Sequence, residues 1–310
     1  PSAGSGTLLM NLAHQIGENK CTIYSQDISQ KSSHLLRLNL ILNDLVHSIP
    51  NIVKGNTLTD PYHKVNGKLQ KFDYIVSNPP FKLDFSDFRN DLDTKEHKPR
   101  FFAGVPKIPA KKKESMAIYQ MFIQHIIYSL KKGGKAAVVV PTGFITAQSG
   151  IDKKIRQKLV DEKMLRGVIS MPSNIFAATP TSVSIIFIDD EDKGDVVLID
   201  ASGLGETVKE GGSQKTVLTK SEEDRIINTF NKKEVDDDFS VVLNYDNIKA
   251  KNYSFSAGQY FDVKIEYADI KPEEFKSKMD SFKRTLKKLF ADSSDLEKEI
   301  KKQLEELEYE

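Results

Sequence analysis

The sequence predicts an α/β protein: a mostly parallel, doubly wound sheet followed by an irregular and helical C-terminal extension. Three observations carry this. Apolar strands alternate with helical stretches over the first two thirds of the chain. Those strands read as continuous apolar runs, the pattern of strands covered on both faces. Glycine, asparagine or proline follows several of them at the carboxyl end, where open parallel sheets bind ligands.

In chain order, PSAGSG is a glycine turn and TLLM opens an apolar helix. CTIYSQ from Cys21 is a short strand, and Ser29 to Val46 has helical spacing at Leu35, Leu36, Leu38, Leu42 and Leu45. NIVKGN and FDYIVSN are the next two strands. Met116 to Leu130 is an apolar helix whose stop is Lys131-Lys132-Gly133-Gly134, basic residues followed by a glycine cap. AAVVVP is a buried strand, Asp152 to Val160 a helix, and MLRGVISMP a further strand. SVSIIFID follows too closely for an intervening helix, so it is expected to run antiparallel.

The expected division is residues 1–200 for the α/β domain, 201–262 for an irregular mixed segment, and 263–310 for charged C-terminal helices. In the last part Met279, Phe282, Leu286 and Leu289 form one helical stripe. A break is expected at ADSSD, where Ser294 and Glu297 have capping-box spacing, before a second stripe at Leu296, Ile300, Leu304 and Leu307. Stripes this narrow suit either a solvated helix pair or an arm for a partner subunit.

Composition excludes some classes. No apolar run approaches the roughly 18 residues of a membrane helix, so no membrane association is expected. The single cysteine, Cys21, rules out an internal disulfide framework and suits a reducing cytoplasm. A net charge of +1 gives no overall bias toward nucleic acid. His14, His34, His47, His63, His97 and His125 show no paired ligand spacing, and no metal is expected.

Two stretches carry chemistry. In GSGTLL the glycines Gly4 and Gly6 flank Ser5 in a tight turn that lets a ligand approach the backbone, and the helix beyond offers unpaired N–H groups. Asp27 ends the next strand twenty-one residues after Gly6, the spacing at which a carboxylate takes ribose hydroxyls. Without GxGxxG or a following P-loop lysine, dinucleotide and triphosphate readings are disfavoured. Asn56 ends the third strand, where it serves as an adenine contact or as a turn residue.

The second stretch is SNPPF. Pro79 and Pro80 stiffen the backbone, so the Asn78 side-chain oxygen and the Pro79 carbonyl can be held as convergent acceptors. Two acceptors suit a conjugated amino group: they orient its lone pair toward an electrophilic methyl and stabilise charge developing on nitrogen. Phe81 offers a face for a planar base. Such a base cannot be reached inside a duplex, so the geometry implies base flipping.

PSAGSGTLL resembles motif I of S-adenosylmethionine-dependent methyltransferases, and SNPPF resembles their amino-methylating motif IV. With KKGGKAAVVVP and MPSNIFAATPTSVSIIFID downstream, the order is similar to the modification subunit of type I restriction-modification systems, closely over residues 1–200 and more loosely beyond. The resemblance implies a methyltransferase-like sheet and methylation of adenine N6 in DNA, with S-adenosylmethionine as cofactor. Its implied partners are a specificity subunit, a second copy of the modification subunit and a restriction subunit. It implies that Gly4, Ser5 and Gly6 cradle the methionine part of the cofactor, Asp27 its ribose, and Asn56 its adenine. Asn78 and Pro79 would take the target amino group, with Phe81 stacked on the base.

The sequence departs from the family pattern at one end, lacking the aspartate and first strand that precede motif I. The chain is therefore expected to be a C-terminal fragment, weak or inactive alone. Amino methylation of RNA or of protein glutamine, and a non-catalytic assembly role, stay open as alternatives. The loop from Lys82 to Lys113 carries nine basic and five acidic residues with Phe85, Phe88, Phe101 and Phe102. It is expected to be poorly ordered without DNA, offering phosphate contacts and stacking faces.

Overall fold

A computed structural model describes residues 1–176, 182–210, 213–262 and 272–305. The quoted MPSNIFAATPTSVSIIFID stretch is described except at 177–181, and Leu307 of the second expected stripe lies outside the described residues. The chain divides into two compact units, Pro1–Phe261 and Asp262–Glu310.

The larger unit begins with α1 (Thr7–Ile16), β1 (Ser25–Asp27), α2 (Gln30–Leu42) and β2 (Ile52–Lys54). Ser29 caps α2 by accepting from the Ser32 N–H at 3.2 Å. The leucines of α2 split between two faces. Leu36 and Leu40 are buried beside Ala13, Ile23 and Ile52, whereas Leu35, Leu38 and Leu42 face outward. A hairpin, β3 (Lys64–Val65) and β4 (Lys68–Leu69), turns through Asn66 and Gly67, both left-handed as a tight two-residue turn requires.

Next come β5 (Phe72–Ser77), the short α3 (Arg89–Leu92), α4 (Tyr119–Ser129), β6 (Leu130–Pro141), α5 (Gly143–Thr146) and α6 (Gly150–Asp161). Helix α4 runs directly into β6. Lys131–Gly134 is therefore not a helix cap but an irregularity in the β5–β6 register, between the pairs Phe72–Leu130 and Tyr74–Lys135. Gly134 is required there, since a Cβ would lie 2.9–3.0 Å from three backbone carbonyl oxygens.

β7 (Leu165–Ser170), β8 (Val183–Asp189), β9 (Val196–Asp200), the hairpin β10 (Glu206–Glu210) and β11 (Ser213–Val217), α7 (Lys220–Lys232), β12 (Ser240–Leu243) and α8 (Tyr245–Ala250) complete this unit. The main sheet has the order β12-β9-β7-β8-β6-β5. β5, β6, β7 and β9 run in one direction; β8 and β12 run against them. β8 is antiparallel to both neighbours, as its short connection requires.

One face of the sheet buries Val138, Val140 and Val168 against α4, α6 and α8. The other buries Ile169, Val197 and Ile199 against Ile226 of α7 and Phe239. Residues 201–261 thus belong to the larger unit: β12 extends the main sheet, and Tyr245 and Ile248 of α8 enter its core. β1 and β2 form a separate parallel pair. A cavity of about 640 Å³ lies between it and β5, lined by Ala13, Tyr24, Phe72, Tyr74 and His125 among others.

The smaller unit contains α9 (Pro272–Glu305). It is one uninterrupted helix, not the two expected. Neither proline nor glycine interrupts it after Pro272, and Ser293 and Ser294 cost only tenths of a kcal/mol in a helix interior.

Candidate active site

The turn at the start of the chain is built around Asp27. Gly4 and Gly6 both have left-handed φ, +57° and +84°, and a Cβ at Gly6 would fall 2.1 Å from Leu36 Cδ1. Gly6 is thus fixed twice, by backbone conformation and by packing on α2. Among the described residues nothing lies within 4 Å of the Cβ position at Gly4, so that side of the turn is open to them. The Gly4 N–H donates to Asp27 Oδ2 at 3.0 Å, and the Ser29 N–H donates to Oδ1 at 2.8 Å. Each carboxylate oxygen retains accepting capacity. The Ser5 hydroxyl lies 3.3 Å from that of Thr7, and the Ser5 carbonyl accepts from Asn39 Nδ2 at 2.9 Å. No side chain caps α1, so its first N–H groups face the turn without a side-chain acceptor.

Asn56 joins this cluster through its neighbour: the Gly55 N–H donates to the Asp27 carbonyl at 2.9 Å. The Asn56 Oδ1 accepts from the Leu58 N–H at 3.0 Å, a local turn that leaves its amide donors available.

The two halves meet through the first two residues. Ser77 Oγ, at the end of β5, donates to the Pro1 carbonyl at 3.0 Å, and the Ser2 N–H donates to the Gln26 carbonyl at 3.1 Å. The glycine turn, the carboxyl end of β1 and the carboxyl end of β5 are therefore tied together. Asn78 follows Ser77 directly and is exposed; among the described residues no protein group takes its side-chain amide. Pro79 is buried, Pro80 exposed and Phe81 half-buried against the main core.

Beneath Phe81 lies a polar group that no local pattern announces. The Phe81 ring meets Tyr119 edge-on at 6.4 Å, and Tyr119 meets Phe144 at 6.3 Å. The Tyr119 hydroxyl donates to both oxygens of Asp152, at 2.8 and 3.0 Å, and Gln120 Nε2 donates to Oδ1 at 2.7 Å. Burial raises the Asp152 carboxyl above the usual carboxylate range, although both hydrogen bonds oppose this. The fully buried Arg156 closes the group from below, donating to the carbonyls of Phe144, Ala147 and Tyr253.

The loop after SNPPF differs from expectation. Phe85 and Phe101 are not stacking faces: they are 1% and 3% exposed, in a satellite core with Leu58, Leu92 and Met121. Phe88 packs against that core and Phe102 against the main one. Two arginines fold the segment rather than offering charge. Arg89 donates to the carbonyls of Val105 and Pro106, and buried Arg100 donates to that of Leu58. The loop is folded because four aromatic rings bury more apolar area than water-facing stacking platforms would. The exposed positive charge left is lysine, at Lys82, Lys95, Lys98, Lys107 and Lys111–Lys113, interspersed with exposed Asp84, Asp87, Asp91, Asp93 and Glu96.

The N-6 DNA Methylase family model matches residues 1–269. The chain belongs to the N-6 DNA methylase family. Among curated members, the MpnII type I restriction enzyme methylase subunit of Mycoplasma pneumoniae is 28% identical, over 97% of this chain and 55% of its own length. The MjaIX type I methylase subunit of Methanocaldococcus jannaschii is 28% identical over 99% of this chain and 55% of its own. The chain spans about half the length of these relatives. The crystal structure of a type I restriction-modification methyltransferase subunit from Streptococcus thermophilus shares the fold, with a TM-score of 0.69 at 24% identity, over 84% of this chain and 53% of that one. Among the described residues, no helix is long and apolar enough to cross a membrane.

Proposed function

We propose that the chain carries the methyl-transfer site of a type I modification subunit, acting on the N6 amino group of adenine in DNA. The supporting observation is the pair of hydrogen bonds, Gly4 to Asp27 and Ser77 to Pro1, that ties the glycine turn to the strand end bearing Asn78.

S-adenosylmethionine supplies an electrophilic methyl when bound. The donor set fits it: Asp27 has accepting capacity left for ribose hydroxyls, the open side of Gly4 with Ser5 and Gly6 admits the methionine part, and the Asn56 amide donors suit an adenine edge. Asn78 Oδ1 and the Pro79 carbonyl accept the two N–H bonds of the target amino group, turning its lone pair toward the methyl. A cofactor held there would supply the methyl to that lone pair, and the proton displaced from the amino nitrogen would leave to water. Pro80 keeps the acceptors rigid. Phe81, backed by Tyr119, gives the flipped base a face to rest on.

The exposed lysines of 82–113 contact phosphates without reading sequence, so site choice belongs to a specificity subunit. A second modification subunit and a restriction subunit complete the assembly.

Transfer of labelled methyl from S-adenosylmethionine, offered DNA, RNA and protein, tests this in the presence of a specificity subunit. The expected result is label in DNA adenine, reduced at least about 100-fold by Asn78→Ala with complex formation intact. Label entering RNA or protein instead, or normal DNA methylation by the variant, overturns the reading.

A further inference from the structure

Tyr119 is the first residue of α4, and Asp152 lies in the first turn of α6. Both helices start at the carboxyl edge of the main sheet, where β5 delivers Asn78, Pro79 and Phe81. The rings of Phe81, Tyr119 and Phe144 form a series in which neighbouring pairs stand nearly perpendicular, at 79° and 80°. Phe144 and Tyr119 are buried, whereas Phe81 is half-buried. The series therefore has a fixed inner end and one outer ring, and that outer ring is the one beside the two acceptors.

Apolar packing alone leaves the tilt of an outer ring loosely set, because the torsion that turns an aromatic ring has a broad well. Tyr119 is held more firmly. Its hydroxyl donates to both oxygens of Asp152, at 2.8 and 3.0 Å, and Gln120 Nε2 holds the same carboxylate at 2.7 Å. Arg156 directs its donors to the carbonyls of Phe144, Ala147 and Tyr253, which ties the frame beneath both groups to the backbone.

A carboxyl and a hydroxyl are costly in such a place. Phenylalanine at 119 with leucine at 152 would fill much the same space and leave no polar group to desolvate. What the polar pair adds is direction, since hydrogen bonds have preferred angles and dispersion contacts do not.

We propose that Tyr119 is a positioning residue for methyl transfer: anchored by Asp152, it sets the tilt at which Phe81 receives the flipped base. The proposal rests on the function given above. Stacking of a base on an aromatic ring is worth roughly five- to 150-fold. It also orients: a base that rocks with Phe81 carries its amino nitrogen out of line between Asn78 and the methyl.

The test is single-turnover methylation of duplex DNA by this chain with a specificity subunit, at saturating S-adenosylmethionine. The rate constant reports positioning, and the amplitude reports how many molecules are folded and competent. Tyr119→Phe keeps the ring and removes its anchor; it should lower the rate constant at least about threefold. Phe81→Leu should lower it at least about fivefold. Added to Phe81→Leu, Tyr119→Phe should slow the reaction no further, because the ring it orients is gone. Asp152→Asn, whose amide oxygen still accepts from the hydroxyl, should slow methylation less than Tyr119→Phe does. A loss of amplitude with an unchanged rate constant, or full additivity of the Phe81 and Tyr119 changes, overturns the role and leaves Tyr119 a purely structural residue. Slowing by Asp152→Asn as large as that by Tyr119→Phe overturns the part assigned to the hydroxyl's bond. A parent complex that methylates no DNA overturns the function itself, and this role with it.

Discussion

At the scale of single residues, the chemistry of SNPPF depends on groups far away in sequence. Asn78, Pro79 and Phe81 are legible because they are contiguous and their side-chain chemistry is specific. Tyr119 and Asp152 are 33 residues apart, and neither lies in a pattern that sequence alone marks. Only folding puts the hydroxyl on the carboxylate and the ring against Phe81. Asp27 and the glycine turn are an intermediate case: the spacing of Asp27 from Gly6 suggests a shared ligand, and the bond from Gly4 shows that the acid also holds the turn. The Tyr119 hydroxyl stabilises the charged form of a buried carboxyl, which yields a test with a definite sign. Tyr119→Phe should cost about 1.5–3 kcal/mol at pH 7, the range for a hydrogen bond to a charged group. Since the lost bond favours carboxylate over carboxylic acid, the Asp152 carboxyl should rise further above the ordinary range in the variant. The stability deficit should then shrink as pH falls through that raised value. Urea denaturation at several pH values measures both, and a deficit that grows toward acid would refute the assignment.

At the scale of elements, the same four-residue signal has opposite meanings in two places. Thr219 and Glu222 form a complete capping box at the start of α7, with the Glu222 N–H donating to Thr219 Oγ1 at 3.3 Å and the Thr219 N–H to Glu222 Oε2 at 2.7 Å. Ser294 and Glu297 have identical spacing but lie inside α9, where backbone N–H groups already have helical partners. The pattern cannot distinguish these cases, because a cap needs orphan donors and only the chain's course determines where they are. Thr219→Ala should therefore destabilise the larger unit by about 1 kcal/mol. Ser294→Ala should leave α9 unharmed or firmer by a few tenths of a kcal/mol. Thermal melting followed by far-UV circular dichroism separates the two; equal losses would mean that α9 is broken at 293–294 in solution. The loop after SNPPF failed to be legible for a related reason. Phe85 and Phe101 look the same in sequence whether they face a base or a core, and the partners that decide, Leu58 and Met121, come from elsewhere in the chain.

At the scale of the whole molecule, the strongly apolar strands were legible and strand order was not. β1, β2, β5, β6, β7 and β8 announce themselves locally, whereas β9, β12 and the two short hairpins do not, and the order β12-β9-β7-β8-β6-β5 and the separation of the β1–β2 pair follow from long-range pairing. That separation leaves the cavity beside β5, and one of its lining residues makes global stability depend on pH. His125, on α4, is 7% exposed, and its Nδ1 has no hydrogen-bond partner among the described residues. Burial holds its imidazole well below the ordinary histidine range, and the positive charges of Arg100 and Lys71 act in the same direction. The folded chain thus keeps His125 neutral at a pH where the unfolded chain protonates it. A depressed histidine contributes stability above the unfolded pKa, near 6.5, and loses it as pH falls below. The slope from this group approaches about 1.4 kcal/mol per pH unit. His63, half-buried and lowered mainly by burial, adds to it with the same sign. The aspartates Asp189, Asp190 and Asp192 are lowered too, but their contribution is lost only below about pH 4, outside this window. The unfolding free energy should accordingly drop between pH 7 and pH 5.5, and His125→Gln should flatten that drop by about 1.4 kcal/mol whatever its effect at pH 7. Urea midpoints for parent and variant across the window decide it: equal slopes would mean that His125 is protonated in the folded protein and that the cavity admits its charge.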